Sequence, residues 1–216
     1  MPQNSAGQIV GGAPHIFFTP SPWQHQPPCV DGAYDQFDSV WLDLANKYTS
    51  IIGSQLVVSG APQILVMPIY KNAQASNLGD FLTNWKEVIS AVVTEAISSM
   101  DPLFLRDRFD FNRIYSSSFS NGIVTHQNFN TQGAGAASMT RMGFDLDGQA
   151  AGSLWQPSRA VIYSTAAPSG INPVGTKWFV GGRFGDIRPG YMPGTSDHSL
   201  CPFLLLHGLS QFGNLP

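Results

Sequence analysis

Residues 111–129, "FNRIYSSSFSNGIVTHQNF", carry four serines within five positions, between an apolar start and an Asn-Gly pair. Two readings compete. One is a polar turn whose hydroxyls cap the following helix, a common use of serine. The other is a strand–turn–helix in which one serine is held up as a nucleophile. "FNRIYSS" has the content of a strand, and "NGIVTHQNF" reads as the helix after it. A nucleophile on such an elbow has a strained backbone and needs small residues two before and two after it, so that neighbouring chains can approach. Ser118 and Gly122 fill those places around Ser120, giving S-F-S-N-G, the G-x-S-x-G pattern with serine for the first glycine. Ser118 is a rival one register earlier, but it has no glycine at plus two. The elbow is expected at an exposed position, so that replacing Ser120 leaves the fold intact.

The flanking sequence alternates strand-like and helix-like segments. "HIFFT" (15–19) is an apolar run ended by Pro20 and reads as a buried strand. The Pro-rich "PSPWQHQPPCVDG" follows as a loop. "YDQFDSVWLDLANKY" carries Phe37, Val40, Trp41, Leu44 and Ala45 at helical spacing. "QLVV" (55–58) and "QILVMPI" (63–69) are strand-like, with "SGAP" as the break between them. "GDFLTNWKEVISAVVTEAISSM" is the clearest helix. Phe81, Leu82, Trp85, Val88, Ile89, Val92, Val93, Ala96 and Ile97 form its stripe, and Asp80 is placed to cap it. "RAVIYST" (159–165) and "TKWFVGG" (176–182) are further strands. "SLCPFLLLHGLSQF" closes the chain as a helix, with Pro202 tolerated in its first turn. Residues 131–158 are rich in Gly, Ala and Ser, show no clear period and are expected to form a loop or small cap over the sheet edge. This alternation predicts an α/β fold, a compact and mostly parallel sheet flanked by helices, in one domain spanning 1–216.

Composition narrows the function. The chain has 216 residues, enough for a sizeable core. Its formal net charge of −3 excludes a broad basic nucleic-acid footprint. No apolar run approaches the ~20 residues of a membrane span. "MPQNSAGQIVGG" lacks the basic and apolar regions of a signal peptide. The chain is then either cytoplasmic or the mature form of a secreted or periplasmic protein. Charged residues are only 12%, and that scarcity leans toward the secreted or periplasmic alternative. Cys29 and Cys201 make no zinc-type spacing and allow one bridge at most. Neither G-x-x-x-x-G-K nor G-x-G-x-x-G occurs, and in "QGAGAAS" no strand precedes the glycines, so it reads as flexible loop. No cofactor or metal is expected.

"FDFNRIYSSSFSNGIVTH" (109–126) resembles the elbow region of the polyhydroxybutyrate-depolymerase and feruloyl-esterase-like members of the α/β-hydrolase superfamily. Their version reads approximately D-x-x-R-I-Y-x-x-G-x-S-N-G before a helix. Asp110, Arg113, Ile114, Tyr115, Ser120, Asn121 and Gly122 match in place. "GDIRPGY" (185–191) resembles the G-x-x-D-x-x-V-P-Y loop that carries the catalytic acid, which puts Asp186 in that role. The chain departs from the group in two ways. Thr19-Pro20 stands where His-Gly usually follows the first sheet strand, and only 12 positions separate Asp186 from His198. The resemblance implies a serine esterase of a short-chain, phenolic or hydroxyalkanoate ester, with a small-molecule or polymeric ester as partner.

The order of groups in this fold is serine, acid, histidine. His15, His25 and His126 precede any late acid. His207 lies in "FLLLHGL", which reads as an ordinary helix position. His198, in "PGTSDHS" before the last helix, is the candidate base. Asp186 follows a strand that ends in glycines. Asp197 adjoins the histidine and is as well explained as a helix-terminal carboxylate. Asp145 and Asp147 fall in the loop segment and are expected to be solvated. An oxyanion hole needs two N–H donors. Asn121 would give one; Ser21 or Thr19 would give the other, because Pro20 and Pro22 cannot donate. Trp23, beside that donor, either lines an acyl pocket or covers the sheet edge. If the triad stands, Cys29 and Cys201 border the same end of the sheet, so the two sulfurs are either bridged or two separate buried thiols. Two other classes stay open: a hydrolase-fold protein without hydrolytic activity that serves as a binding module or a non-hydrolytic enzyme, and a lectin-like secreted module, which the helical stripe at 81–97 opposes.

Overall fold

The computed structural model describes residues 12–20, 45–60, 62–68, 78–99, 109–146, 160–164, 176–180 and 201–210. In chain order, β1 (Ala13–Phe18) is followed by a π-helical turn (Thr49–Gly53) that runs into α1 (Ser54–Ser59), and then by β2 (Gln63–Val66). Next come α2 (Asp80–Ser98), β3 (Ile114–Phe119), α3 (Gly122–Gln132), the short α4 (Ala136–Met139) and β4 (Thr140–Leu146). β5 (Ala160–Ser164), β6 (Thr176–Val180), a 3-10 turn (Cys201–Leu204) and α5 (Leu205–Ser210) complete the described chain.

The six strands form one sheet in the order β2-β1-β3-β4-β5-β6, and every neighbouring pair is parallel. The α/β fold read from the alternation is the one observed. The chain starts at β1, steps outward to β2, then returns past β1 to place β3 on its other side. Connections leaving β1 and β3 therefore diverge, and such a switch point opens a crevice at the carboxyl ends of the strands.

Burial on both faces explains why β1 ends in an apolar run rather than an alternating one. Ile16, Phe17 and Phe18 are all fully buried, yet they belong to two cores. On one face, Phe17, Tyr115 and Phe144 pack with Ile52, Leu56, Leu205 and Leu209 from the π-helical turn, α1 and α5. On the other, Ile16, Phe18 and Ile114 pack with Trp85, Ile89, Val93 and Ile97 of α2 and Phe129 of α3.

Several expectations are corrected. "QLVV" is helix, not strand. Tyr48, Ile52 and Leu56 recur every four residues and are buried together, whereas Val57 and Val58 are each 71% exposed. The helical phase set upstream overrides the β propensity of four residues. Gln55 seals this arrangement: its Nε2–H group donates to the carbonyls of Ile51 (2.9 Å) and Pro202 (2.8 Å), and its Oε1 accepts from Leu206 N–H (2.9 Å). The break at "SGAP" is real, with Gly60 ending α1 in the left-handed region at φ 67°.

Residues 131–146 are not a loop or cap: they complete α3, form α4 and supply β4, which lies inside the sheet between β3 and β5, while 147–158 lie outside the described residues. Met142, Phe144 and Leu146 alternate onto the first core, but Gly143 and Asp145 on the opposite side hide that period. "QGAGAAS" is correspondingly a turn into α4 rather than a flexible loop. At α2 the N-cap is Gly79, without a side-chain cap bond, so Asp80 begins the helix instead of capping it. The α2 stripe is narrower than expected, since Val88 and Val92 face solvent. Pro202 lies in a 3-10 turn before the last helix, not in the helix itself. Phe37, Val40, Trp41 and Leu44 lie outside the described residues, although residues 45–48 are helical as expected. Among the described residues, no helix is long and apolar enough to cross a membrane.

Candidate active site

The serine cluster resolves into two kinds of serine. Ser116, Ser117 and Ser118 are fully buried inside β3. Their side chains alternate, as strand geometry requires. Ser117 Oγ is 2.7 Å from His15 Nε2 on one side of the strand. Ser116 Oγ and Ser118 Oγ lie 2.7 and 3.0 Å from the two ring nitrogens of His126 on the other. These three hydroxyls are structural. Burying a hydroxyl without a partner is costly, and each has an imidazole.

Ser120 is different. It follows the last residue of β3 and precedes α3, and its φ is 53°. Among the described residues it is the one residue other than glycine with positive φ. For an L-residue with a Cβ this conformation costs roughly 1–2 kcal/mol, and a strained residue of this kind persists only where its surroundings over-determine it. The surroundings are explicit. Ser120 N–H donates to Leu146 O at the end of β4 (3.4 Å), and Ser120 O accepts from Ile123 N–H (3.1 Å) in the first turn of α3. The chain thus turns from strand to helix within two residues, Ser120 and Asn121. Ser118, the rival, sits in regular strand with no exposed surface.

Gly122 is the second fixed point. A Cβ on it would collide with Phe18 O and stand 2.7 Å from Thr19 O, both backbone atoms at the end of β1. α3 therefore starts directly against the neighbouring strand, and its N-terminus and Ser120 are brought to the crevice between β1 and β3. Asn121 is the N-cap of α3 and makes no side-chain cap bond there. The elbow is more enclosed than expected: Ser120 is only 8% exposed, because the ends of β1 and β4 flank it.

The two histidines flanking β3 are held neutral. Burial pushes His15 down to about 4, partly offset by its hydrogen bond with Gln63. Its Nδ1–H donates to Gln63 Oε1 at 2.7 Å. Burial pushes His126 down to about 3, and the nearby His15 adds to the lowering. Neither suits a general base at neutral pH, which works best with a pKa near the operating pH. The Ser118–His126 pair has the distance of a catalytic dyad but neither the access nor the basicity.

Thr19, the alternative oxyanion donor, is buried at the end of β1 beside Gly122. Ser21, Trp23, Cys29, Asp186, Asp197 and His198 lie outside the described residues; Cys201 is buried in the first core. Asp145 overturns its reading as a solvated loop residue. It lies in β4, in register with Ser118, and is fully buried. Sequence reading missed it because the strand itself was missed. A cleft of about 820 Å³ lies elsewhere, along the β2 edge, lined by Leu56, Val57, Leu65, Met67, Val93 and Ile97 among others. Ser120, Asn121 and Thr19 take no part in lining it.

Comparison with protein families, curated proteins and solved structures gives no match. The elbow geometry therefore stands on its own as the ground for a functional reading.

Two predictions follow from this geometry. In an open first turn, Gly122→Ala would stabilise α3 by up to about 1 kcal/mol through helix propensity. Against backbone atoms it is an overpacking change, and a loss of about 1–3 kcal/mol or more is expected in urea unfolding. A gain in stability would contradict the close contact.

The second concerns acid. The unfolded chain takes up protons on both imidazoles near the ordinary value of 6.5, while the folded chain resists until about 4 at His15 and about 3 at His126. Their stabilising contribution is full above pH 6.5 and shrinks as pH falls toward those values. Each contributes a slope approaching about 1.4 kcal/mol per pH unit within that window. Urea titrations from pH 7.5 to 4.5 should show this steep loss, reduced in His126→Phe. A wild-type profile that is flat between pH 6.5 and 4.5 would be inconsistent with neutral buried histidines.

Proposed function

We propose that this chain is a serine hydrolase of carboxylic esters, with Ser120 as nucleophile. The observation that carries the reading is the left-handed backbone of Ser120 (φ 53°) between a parallel strand and a helix. It is supported by Gly122 packed on the end of β1. A strained strand–serine–helix turn of this kind is how a nucleophile elbow presents its hydroxyl above a sheet. The resemblance of residues 109–126 to the esterase elbow points the same way.

In this reading Ser120 Oγ attacks the ester carbonyl carbon, and its proton passes to His198. The tetrahedral oxyanion is met by the N–H of Asn121 at the start of α3, where the helix dipole favours negative charge. The second donor comes from the segment after β1, Ser21 or Thr19. Collapse expels the alcohol, which takes the proton from His198. The resulting acyl-Ser120 is then hydrolysed by water. Asp186 orients His198 and stabilises its charged form, and Trp23 lines the acyl side.

The topology supports residues 181–198 as the source of acid and base. They leave the carboxyl end of β6, the same sheet edge as Ser120 in an all-parallel sheet. Three strand spacings separate β6 from β3, about 14 Å. A chain that spans up to about 3.3 Å per residue reaches that far easily. Asp145, a buried carboxylate one residue before the carbonyl that holds Ser120 N–H, is a further candidate acid that the structure adds to Asp186 and Asp197.

The test is turnover of a chromogenic acetate ester by wild type, Ser120→Ala and Ser118→Ala. Ser120→Ala should lose about 10³-fold or more in kcat/KM, while Ser118→Ala retains measurable turnover. Wild-type turnover in Ser120→Ala, with Ser118→Ala inactive, would move the nucleophile to Ser118. No turnover by any of the three would favour the non-hydrolytic binding reading.

A further inference from the structure

His126 is fully buried on α3, six residues after Ser120. Its ring is gripped on three sides. Nδ1 meets Ser118 Oγ at 3.0 Å and Nε2 meets Ser116 Oγ at 2.7 Å, both from β3. Phe18 of β1 stacks on its face, with ring centroids 5.1 Å apart and planes 23° from parallel. A neutral imidazole has one N–H donor and one bare nitrogen. A hydroxyl can donate or accept, so both serines are satisfied whichever nitrogen carries the proton. His126 therefore links the strand before the elbow, the helix after it and the strand beside it.

We propose that His126 is a positioning residue that clamps the Ser120 elbow, acting through Ser118. The Ser118–His126 bond closes a nine-residue loop with the strained Ser120 inside it. In the G-x-S-x-G pattern a glycine stands two residues before the nucleophile, so that the chains can approach. Here a serine occupies that place, and its hydroxyl makes a bond across to the helix that glycine cannot. The serine at 118 and the histidine at 126 thus form one device. Loss of the clamp lets the helix start drift relative to β3 and relaxes Ser120 out of the left-handed region. A misplacement of about 1 Å is enough to cost on the order of 10²-fold in rate.

The catalytic consequence rests on the proposed esterase reading; the clamp itself does not. Three variants separate its parts. His126→Phe keeps the stack on Phe18 and removes both hydrogen bonds. His126→Asn places an amide where Nδ1 stands and can still meet Ser118. His126→Gln places one where Nε2 stands and can meet only Ser116. Each is measured for kcat and KM on the acetate ester, for melting temperature, and for amide hydrogen exchange over residues 119–124 against β1. His126→Phe should lower kcat on the order of 10–100-fold with KM little changed, and should speed exchange at 119–124 more than in β1. His126→Asn should recover most of kcat, while His126→Gln should not, although both melt at similar temperatures.

Equal kcat in the Asn and Gln variants, with activity following melting temperature alone, would reduce His126 to a core residue and overturn the proposal. If wild type shows no turnover, the esterase reading fails and exchange decides the clamp. Selective acceleration at 119–124 in His126→Phe and His126→Gln, but not in His126→Asn, supports it. Unchanged or uniform exchange refutes it.

Discussion

Gly122 lies against the carbonyls of Phe18 and Thr19 so closely that no side chain fits between them. That contact fixes where α3 starts relative to β1, and only Ser120 and Asn121 remain to turn the chain from strand to helix. The turn is made with positive φ at Ser120, and the packing of its neighbours holds that strained conformation in place. The carbonyl of Leu146 holds the Ser120 amide from the other side. If Ser120 is the nucleophile proposed above, a hydroxyl held this way needs little rearrangement to meet a substrate, and preorganisation of that kind is where much of enzymatic rate enhancement arises.

Around this turn the protein places a layer of buried polar groups that is unusual for the middle of a sheet. β3 carries three serines where an apolar strand would be expected, and each is matched to an imidazole, His15 on one side and His126 on the other. Small side chains on β3 let both flanking layers come close, and the paired histidines remove the desolvation cost of the hydroxyls. Aromatic rings close the arrangement, with Phe18 on His126 and Tyr115 and Phe144 beside His15. Hydrogen bonds in such dry surroundings are strong when satisfied and costly when broken, which makes this layer a rigid base for the elbow.

Much of this was legible in the chain because its signals are local. The run Ile16–Phe18 marks a buried strand, the four-residue spacing of Trp85, Ile89, Val93 and Ile97 marks α2, and Ser118-x-Ser120-x-Gly122 marks the elbow. What escaped depends on partners distant in sequence. β4 carries its period on one face only, and Gly143 and Asp145 obscure the rest. α1 takes its helical phase from Tyr48 and Ile52, which outweigh the β-branched pair Val57-Val58. The role of His126 cannot be seen without knowing that the second turn of α3 lies over Ser116 and Ser118. Asp145 was misplaced for the same reason as its strand. The proposed roles of Ser21, Trp23, Asp186 and His198 rest on order and reach, since those residues lie outside the described chain.

The most direct measurement is the position of a covalent adduct. The protein is treated with a fluorophosphonate, digested, and its peptides are sequenced by tandem mass spectrometry. Phosphonylation at one stoichiometric site, the Oγ of Ser120, is the result the account predicts. An adduct on Ser118 or on a serine outside the elbow, or no adduct at all, would contradict it.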